Sequence, residues 1–193
     1  MIELVDVGAE DARLAAFHAG IYLDAFAAQQ EPLVVWQRAL HGELAYALTV
    51  RLAIDLTAPT PADAIVGGIA FELYPRSRCG LMTYMVVAPA ARNRGLGERL
   101  FRGAADDLRA RGARAVLGEV HGEERLRRFA KWGASVVDVP YVQPSLAPGL
   151  PRDPDLVLIG VGPAERDDVL AFIDELYTVC EGHTRDAPFT GGA

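Results

Sequence analysis

The feature that most constrains this chain is a segment that runs from a buried β-strand through a loop into an amphipathic helix. Leu81 to Val87 is an apolar, β-rich run bounded by Pro89, which is typical of a buried central strand. From Gly95 to Arg111 apolar residues recur every four positions, and Gly112 follows. This predicts a helix that buries one face and ends at that glycine. A fold of mixed strands and helices is therefore indicated.

The remaining segments extend the same α+β order. They predict further strands over 2–7, 44–55, 65–74, 113–121, 134–139 and 156–161. Further helices are predicted over 8–26, 33–40, 123–132 and 164–179. A length of 193 residues without a low-complexity linker suits one domain. We place that domain at 1–180 and a C-terminal tail at 181–193.

The composition argues against several classes of function. Lys131 is the only lysine, so the chain contains no Gly-Lys-Ser/Thr P-loop. A net charge of -7 disfavours a surface that tracks nucleic-acid phosphates. The chain has four histidines, at His18, His41, His121 and His183. Their positions lack the spacing of a zinc site. We therefore expect neither a metal nor a nucleic-acid partner.

The chain shows no signal for export or membrane insertion. Its apolar runs are much shorter than the roughly 20 residues that a membrane helix needs. Its first residues lack the basic start and apolar core of a signal peptide. Cys79 and Cys180 form no close pair, which suits a reducing compartment. We expect a cytoplasmic protein with no membrane partner.

The loop between the central strand and its helix is a candidate anion site on physical grounds. The N–H groups of a first helical turn have no partner within the helix, and the helix dipole favours negative charge there. Gly95 and Gly97 allow a ligand to approach the backbone, and Arg92 and Arg94 add positive charge. The alternative is that the glycines only permit a tight turn and the arginines are solvated.

The spacing Arg92-x-x-Gly95-x-Gly97, after a strand that ends in Val-x-x-Pro, resembles the signature of the GNAT superfamily. These proteins transfer acyl groups from acyl-CoA to amines. The match is close over residues 86–100, and the order of elements extends it more loosely over 2–161. The resemblance implies an α/β/α sandwich in one domain, with a mixed, mostly antiparallel sheet of about seven strands and helices on both faces.

The same resemblance implies a cofactor site and partners. In the family, this loop holds the coenzyme A diphosphate, which assigns that role to Arg92, Asn93, Arg94, Gly95, Leu96 and Gly97. The backbone of the preceding strand binds pantetheine and the acyl oxygen, and by position this is Met85, Val86 and Val87. Acetyl-CoA is the implied co-substrate, with a small-molecule or peptide amine as acceptor. A homodimer is left open.

Two other functions also stay open at this point. A non-catalytic acyl-CoA-binding or regulatory module of the same fold would bind without turnover. An NAD(P)-binding oxidoreductase would use Gly95 and Gly97 after a strand, with an acidic residue, Glu119, at the end of the next strand. The third glycine of that fingerprint would fall on Leu100, so this alternative fits less well.

The proton-transfer residues depart from the pattern of the family. In many relatives a tyrosine on the helix after the fifth strand protonates the departing thiolate, and here Phe129 stands at that position. Tyr141 is our candidate replacement, with Tyr84 and His121 as further candidates. The alternative for Tyr141 is a packing residue whose hydroxyl lies at the surface.

A carboxylate is needed to accept the proton of the amine. Glu119 is our candidate because it is a charged residue in an apolar strand, where burial demands an explanation. The structural alternative is a salt bridge to a neighbouring arginine. Glu72, at a comparable place in the third strand, is the second choice.

In the family, acceptor choice comes from the first two helices and the last hairpin. These correspond to residues 18–41 and 141–155, with Asp24, Glu31 and Glu43 as candidate partners for a cation. One of Arg125, Arg127 and Arg128 is a candidate contact for the coenzyme 3′-phosphate. The alternative for these arginines is a solvated helix face.

Overall fold

Seven strands form one sheet in the computed structural model, which describes residues 1–26, 30–60, 64–145 and 151–182. The strands are β1 (Ile2–Val7), β2 (Ala47–Asp55), β3 (Ile65–Tyr74), β4 (Cys79–Val87), β5 (Ala115–His121), β6 (Ala134–Val136) and β7 (Leu156–Val161). Their order is β1-β2-β3-β4-β5-β7-β6. β1 pairs antiparallel with β2, and β7 pairs antiparallel with β5 and β6. The predicted mostly antiparallel sheet is confirmed.

Five helices accompany the strands in the described ranges. They are α1 (Ala12–Phe17), α2 (Leu33–Leu40), α3 (Leu96–Ala110), α4 (Glu123–Lys131) and α5 (Arg166–Glu181). α1 continues through a π-helical turn, His18–Tyr22, into a last short turn, Leu23–Ala25. The helix predicted over 8–26 is therefore interrupted. None of these helices has the length and apolar character to cross a membrane.

Two predicted segments reach beyond the described part of the chain. The tail predicted at 181–193 overlaps the end of α5, which includes Glu181 and is capped by Gly182, a residue with a left-handed backbone. Residues 183–193, including His183, lie outside the described residues, as do 146–150 of the predicted last hairpin over 141–155.

The first compact unit comprises Met1–Glu72 and Met82–Asp107. Its core forms where α1 and α2 bury aromatic side chains against β2. Phe17, Trp36 and Leu52 are at most 1% exposed. A Cβ on Gly68 would lie 2.9 Å from Phe17 Cζ, so the absence of a side chain at Gly68 allows this packing.

The second compact unit comprises Leu73–Leu81 and the described residues from Leu108 onward. In its part of the sheet, Glu119 of β5 lies opposite Leu158 of β7. Glu175 of α5 is buried and accepts hydrogen bonds from the N–H groups of Arg76 and Ser77, at 3.0 and 2.7 Å. These bonds fix α5 to the turn between β3 and β4.

Candidate functional site

The predicted anion loop of the first unit leads directly into α3. The first bond of the helix runs from the N–H of Arg99 to the carbonyl of Gly95, at 3.1 Å. The N–H groups of Leu96, Gly97 and Glu98 precede it and have no backbone acceptor in the described chain. Asn93 (φ 62°) and Gly95 (φ 72°) have left-handed backbones that turn the chain into the helix.

Two arginines bring positive charge to these free N–H groups. Arg92 Nε donates to the carbonyl of Val87 at 3.0 Å, which holds this side chain at the end of β4. Arg94 is exposed and forms no ion pair with any described residue. A Cβ on Gly95 would meet no atom within 4 Å, so the space beside the loop is open. Free donors, unpaired charge and open space together fit a diphosphate.

The end of β4, which carries Met85, Val86 and Val87, lies close to a glycine of β3. A Cβ on Gly67 would lie 2.7 Å from the carbonyl oxygen of Val86 and 3.2 Å from Val87 Cα. The N–H of Ala88 donates to the carbonyl of Val66 at 2.9 Å. Backbone contact therefore fixes this half-buried strand end immediately before the loop.

The second unit brings together the two predicted catalytic residues. The hydroxyl of Tyr141 donates to Oε1 of Glu119, and Gln143 Nε2 donates to Oε2 at 2.9 Å. No arginine of the described chain pairs with Glu119, so the salt-bridge alternative is wrong. Tyr141 is half-buried with its hydroxyl on a carboxylate, so the alternative of a surface hydroxyl is also wrong.

The surroundings of Glu119 and Tyr141 raise the pKa values of both side chains. Burial raises the pKa of Glu119, the hydrogen bonds from Tyr141 and Gln143 lower it in part, and the Asp153 carboxylate raises it. Burial also raises the pKa of Tyr141 well above its ordinary value, and the negative charge of Glu119 adds to this. Tyr141 therefore keeps its proton near neutral pH, and Glu119 is a stronger base than an ordinary glutamate.

Two residues that lie near the Glu119 carboxylate were not predicted from the sequence. Gln143 and Asp153 pair through their backbones, with N–H to carbonyl distances of 3.0 and 3.2 Å. His121 Nε2 lies 3.2 Å from Asp153 Oδ2, so this histidine joins the cluster through Asp153. The spacing of Tyr141 and Gln143 was an available signal, because residues two apart in an extended segment face the same side.

The candidate acceptor carboxylates differ in their surroundings. Glu31 is half-buried, accepts a 2.9 Å bond from Trp36 Nε1 and forms no ion pair with a described residue. Burial raises its pKa, and the bond from Trp36 lowers it in part. Glu43 pairs with Arg38 at 3.1 Å, and Asp24 is exposed. Glu31 is thus the strongest of the three candidates for an incoming cation.

The other predicted residues have structural surroundings. Tyr84 is buried, with its ring centroid 5.0 Å from that of Tyr22, and Glu72 is buried in β3. Phe129 packs on the ring of Trp132 at 5.1 Å. On α4, Arg127 pairs with Glu123 and Arg128 pairs with Glu124, and all four side chains are exposed. These pairs favour the alternative of a solvated helix face. The described residues contain no acidic, histidine or cysteine cluster that could hold a metal.

The sequence of this chain matches the model of a known protein family, but it does not match a single curated protein. Residues 20–134 match the model of the acetyltransferase (GNAT) family. No curated protein sequence matches the chain significantly.

Solved structures show the same fold at low sequence identity. A protein of Bacteroides thetaiotaomicron assigned to the GNAT family has a TM-score of 0.70 and 16% identity, covering 92% of this chain and 97% of its own. The ribosomal-protein-S18-alanine N-acetyltransferase of Escherichia coli has a TM-score of 0.57 and 14% identity, with coverage of 86% and 98%. PaiA N-acetyltransferase of Thermoplasma acidophilum, in complex with coenzyme A, has a TM-score of 0.52 and 13% identity, with coverage of 83% and 98%.

Proposed function

The chain belongs to the acetyltransferase (GNAT) family, whose model spans more than half of it, and we propose on this premise that it is an N-acyltransferase. It transfers an acetyl or other short acyl group from acyl-CoA to a primary amine. The observation that carries the proposal is the loop before α3, where free N–H groups and two arginines fit a diphosphate. Acceptors of this kind include small molecules and peptides.

Coenzyme binding is assigned to the loop and the preceding strand. Arg92, Arg94 and the N–H groups of Leu96 and Gly97 would hold the diphosphate. The backbone of residues 85–87 would hold pantetheine and the acyl oxygen. The bound coenzyme supplies a thioester, and the chain supplies position and polarisation of the carbonyl.

Glu119 is assigned the role of general base. It accepts a proton from the ammonium form of the acceptor, directly or through water, so that the neutral amine can form the new C–N bond while the C–S bond breaks. The nitrogen loses its second proton as the amide forms, and that proton passes through water to the departing thiolate. Its raised pKa makes Glu119 a better proton acceptor than an ordinary glutamate. No covalent intermediate on the enzyme is required.

Tyr141 is assigned to position this base. Its hydroxyl proton is donated to Glu119, so that proton is not available to a leaving group at the same time. Phe129 also provides no acid. Because an ordinary thiol has a pKa of about 8.5, the coenzyme can leave as a thiolate without a general acid.

Glu31 is assigned as the partner of a cationic group on the acceptor. This carboxylate has a single side-chain donor, Trp36 Nε1, and no cationic partner in the described chain. That cationic group would neutralise it. A cytoplasmic location and a homodimer are further proposals that rest on the composition and on the family.

The proposal is tested first by coenzyme binding to the whole protein. Calorimetric titration compares acetyl-CoA, pantetheine and NADH. We expect acetyl-CoA to bind most tightly of the three. Arg92→Gln or Arg94→Gln should lower the affinity for acetyl-CoA by about tenfold or more, because each change removes a charged phosphate contact. The affinity for pantetheine should not change. Arg102→Gln, an exposed arginine of α3 paired with Glu98, is the matched control. Binding of NADH alone would favour the oxidoreductase.

Turnover is tested separately, with a panel of amines and detection of free thiol. Thiol release that depends on an amine supports the transferase. Tight acetyl-CoA binding without thiol release from any amine would support the non-catalytic module instead.

A further inference from the structure

A cavity of about 620 Å³ lies within the first unit, beside the predicted anion loop. Its walls come from the start of β1, α1 and the π turn after it, the end of β2 and the loop that follows, the start of β3, the loop after β4 and the start of α3. Pockets for small molecules have volumes of about 300–1,000 Å³. The cavity is therefore large enough for a ligand of its own.

The walls of this cavity are mainly aliphatic. Side chains that line it include Ile2, Ile21, Ile65, Val66, Ala91 and Leu96. Such a surface binds an apolar body by removing it from water, at about 25 cal/mol per Å² of buried area. The lining thus predicts a ligand with a substantial apolar part.

The charged groups at the cavity favour an anion. Arg94 and Arg99 both line it, and neither forms an ion pair with a described residue. Arg99 makes one long bond, from Nη2 to the carbonyl of Ile2 at 3.4 Å. The single acidic group of the lining, Asp55, already accepts bonds from Thr57 N and Oγ1 at 3.0 and 2.8 Å and pairs with the Met1 ammonium. The uncompensated charge is positive.

A π-helical turn forms one side of the cavity. Gly20 lies within this turn, lines the cavity and is exposed, and a Cβ placed on it would meet no atom within 4 Å. Single π turns occur frequently at functional sites. The missing side chain at Gly20 keeps this side of the cavity open.

We propose that the cavity binds an aliphatic monocarboxylate. Its chain lies against the aliphatic walls, and its carboxylate is held by Arg99, with Arg94 as the second cation. Arginine suits this role because its planar donors match the two oxygens of a carboxylate. The site is separate from the proposed coenzyme site, although Arg94 and Leu96 border both.

The direct test is calorimetric titration of the whole protein with octanoate. We expect one molecule to bind per chain. Octylammonium and octan-1-ol have the same tail without the negative charge, and acetate has the charge without the tail. All three should bind at least tenfold more weakly than octanoate, whereas equal binding of octan-1-ol or octylammonium would refute the carboxylate assignment.

Two pairs of variants locate the site. Gly20→Leu places a side chain in the cavity and should weaken octanoate binding at least tenfold, whereas Gly8→Leu should not, although its Cβ also meets nothing within 4 Å. Arg99→Gln should weaken binding about tenfold, whereas Arg102→Gln should leave it unchanged. Thermal melts establish that each variant is folded. Equal affinity of wild type, Gly20→Leu and Arg99→Gln would overturn the proposal.

Titration at increasing coenzyme A concentrations shows whether the two sites are separate. Coupling through Arg94 should reduce octanoate affinity to a limiting value within about tenfold of the original. If the apparent octanoate affinity instead keeps falling in proportion to the coenzyme A concentration, the two ligands compete for one site. That result would refute a separate octanoate site. Octanoate binding by a protein that does not bind coenzyme A would refute the proposed function alone.

Discussion

The hydroxyl of Tyr141 donates a hydrogen bond to Oε1 of Glu119, which lies 22 residues earlier in the chain. With Gln143 on the other oxygen, both oxygens of this carboxylate are held by one short segment of the second unit. Such bonds stabilise the charged form of a carboxylate, while burial disfavours it. The pKa of Glu119 therefore depends directly on Tyr141.

Replacing Tyr141 with Phe should move the acidic side of the pH–rate profile to higher pH. The change removes a donor that lowers the pKa of Glu119, so less of the base is deprotonated in mild acid. A hydrogen bond of about 0.5–1.5 kcal/mol corresponds to a loss of about two- to twelvefold in kcat/KM on the acidic limb of the profile, with recovery at high pH. Tyr177→Phe is the control, because that hydroxyl donates to the carbonyl of Val142 at 2.8 Å. A profile unchanged by Tyr141→Phe contradicts the positioning role.

Glu119→Gln should lower the acylation rate by about 10²- to 10⁴-fold, as expected for the loss of a general base. The acidic limb of the profile should also disappear, while acetyl-CoA affinity should be retained because Glu119 is not assigned to the coenzyme. Glu72→Gln tests the second candidate in parallel. If steady-state kinetics show the loss of acylation rate for Glu72→Gln and not for Glu119→Gln, Glu72 is the general base instead.

Gly97→Leu should weaken acetyl-CoA binding at least tenfold, because a side chain in the first turn of α3 would obstruct the N–H groups assigned to the diphosphate. Gly103→Leu makes the same change in the same helix, where a Cβ would meet only the end of the Arg51 side chain, at 3.6 Å. Titration calorimetry compares the two variants. Equal affinities would remove the loop from the coenzyme site.

Much of the fold could be predicted from local sequence signals. The predicted bounds of β1, β3, β7 and α2 agree with the structure, because alternation, periodicity and flanking Pro or Gly residues specify them. The strand predicted over 134–139 ends instead at Val136. The N–H of Val139 donates to the carbonyl of Val137 at 3.0 Å, and this local turn ends the strand.

His18 of the π turn and Glu119 both have partners in distant parts of the chain. His18 Nε2 lies 2.8 Å from the carbonyl of Glu31, 13 residues away, and helical periodicity carries no information about such a bond. Gln143 is 24 residues from Glu119. The free donors and arginines of the loop before α3 were predictable, by contrast, because they lie within one short segment, and the role of this loop as an anion site stays a prediction.

Gly67→Ala should destabilise the fold by about 1–3 kcal/mol, as expected for overpacking. Its Cβ would lie 2.7 Å from the carbonyl oxygen of Val86, so β3 or β4 must move. Since the end of β4 is assigned to pantetheine, pantetheine affinity should also fall. Gly8→Ala, with no atom near its Cβ, controls for the loss of a glycine. Chemical denaturation and pantetheine titration measure the two effects, and unchanged stability would contradict the close approach.

Glu31→Gln should stabilise the protein at pH 8 and have little effect near pH 4. Burial raises the pKa of Glu31 in the folded chain, so the folded state holds this proton more tightly than the unfolded state. The stability that this provides is complete below the ordinary glutamate pKa of about 4.3 and is lost as pH rises through the folded value. Glutamine avoids the loss, and its amide oxygen can still accept the bond from Trp36 Nε1.

In a chain of this size each 1 kcal/mol raises Tm by about 2–4 °C, so the gain of Glu31→Gln is measurable by thermal melting at the two pH values. Glu43→Gln, an exposed carboxylate paired with exposed Arg38, should show no comparable difference. The same substitution at Glu31 should weaken the binding of a cationic acceptor, because it removes the charge assigned to the cationic group. Equal Tm changes at both pH values would show that burial of this carboxylate does not control its protonation.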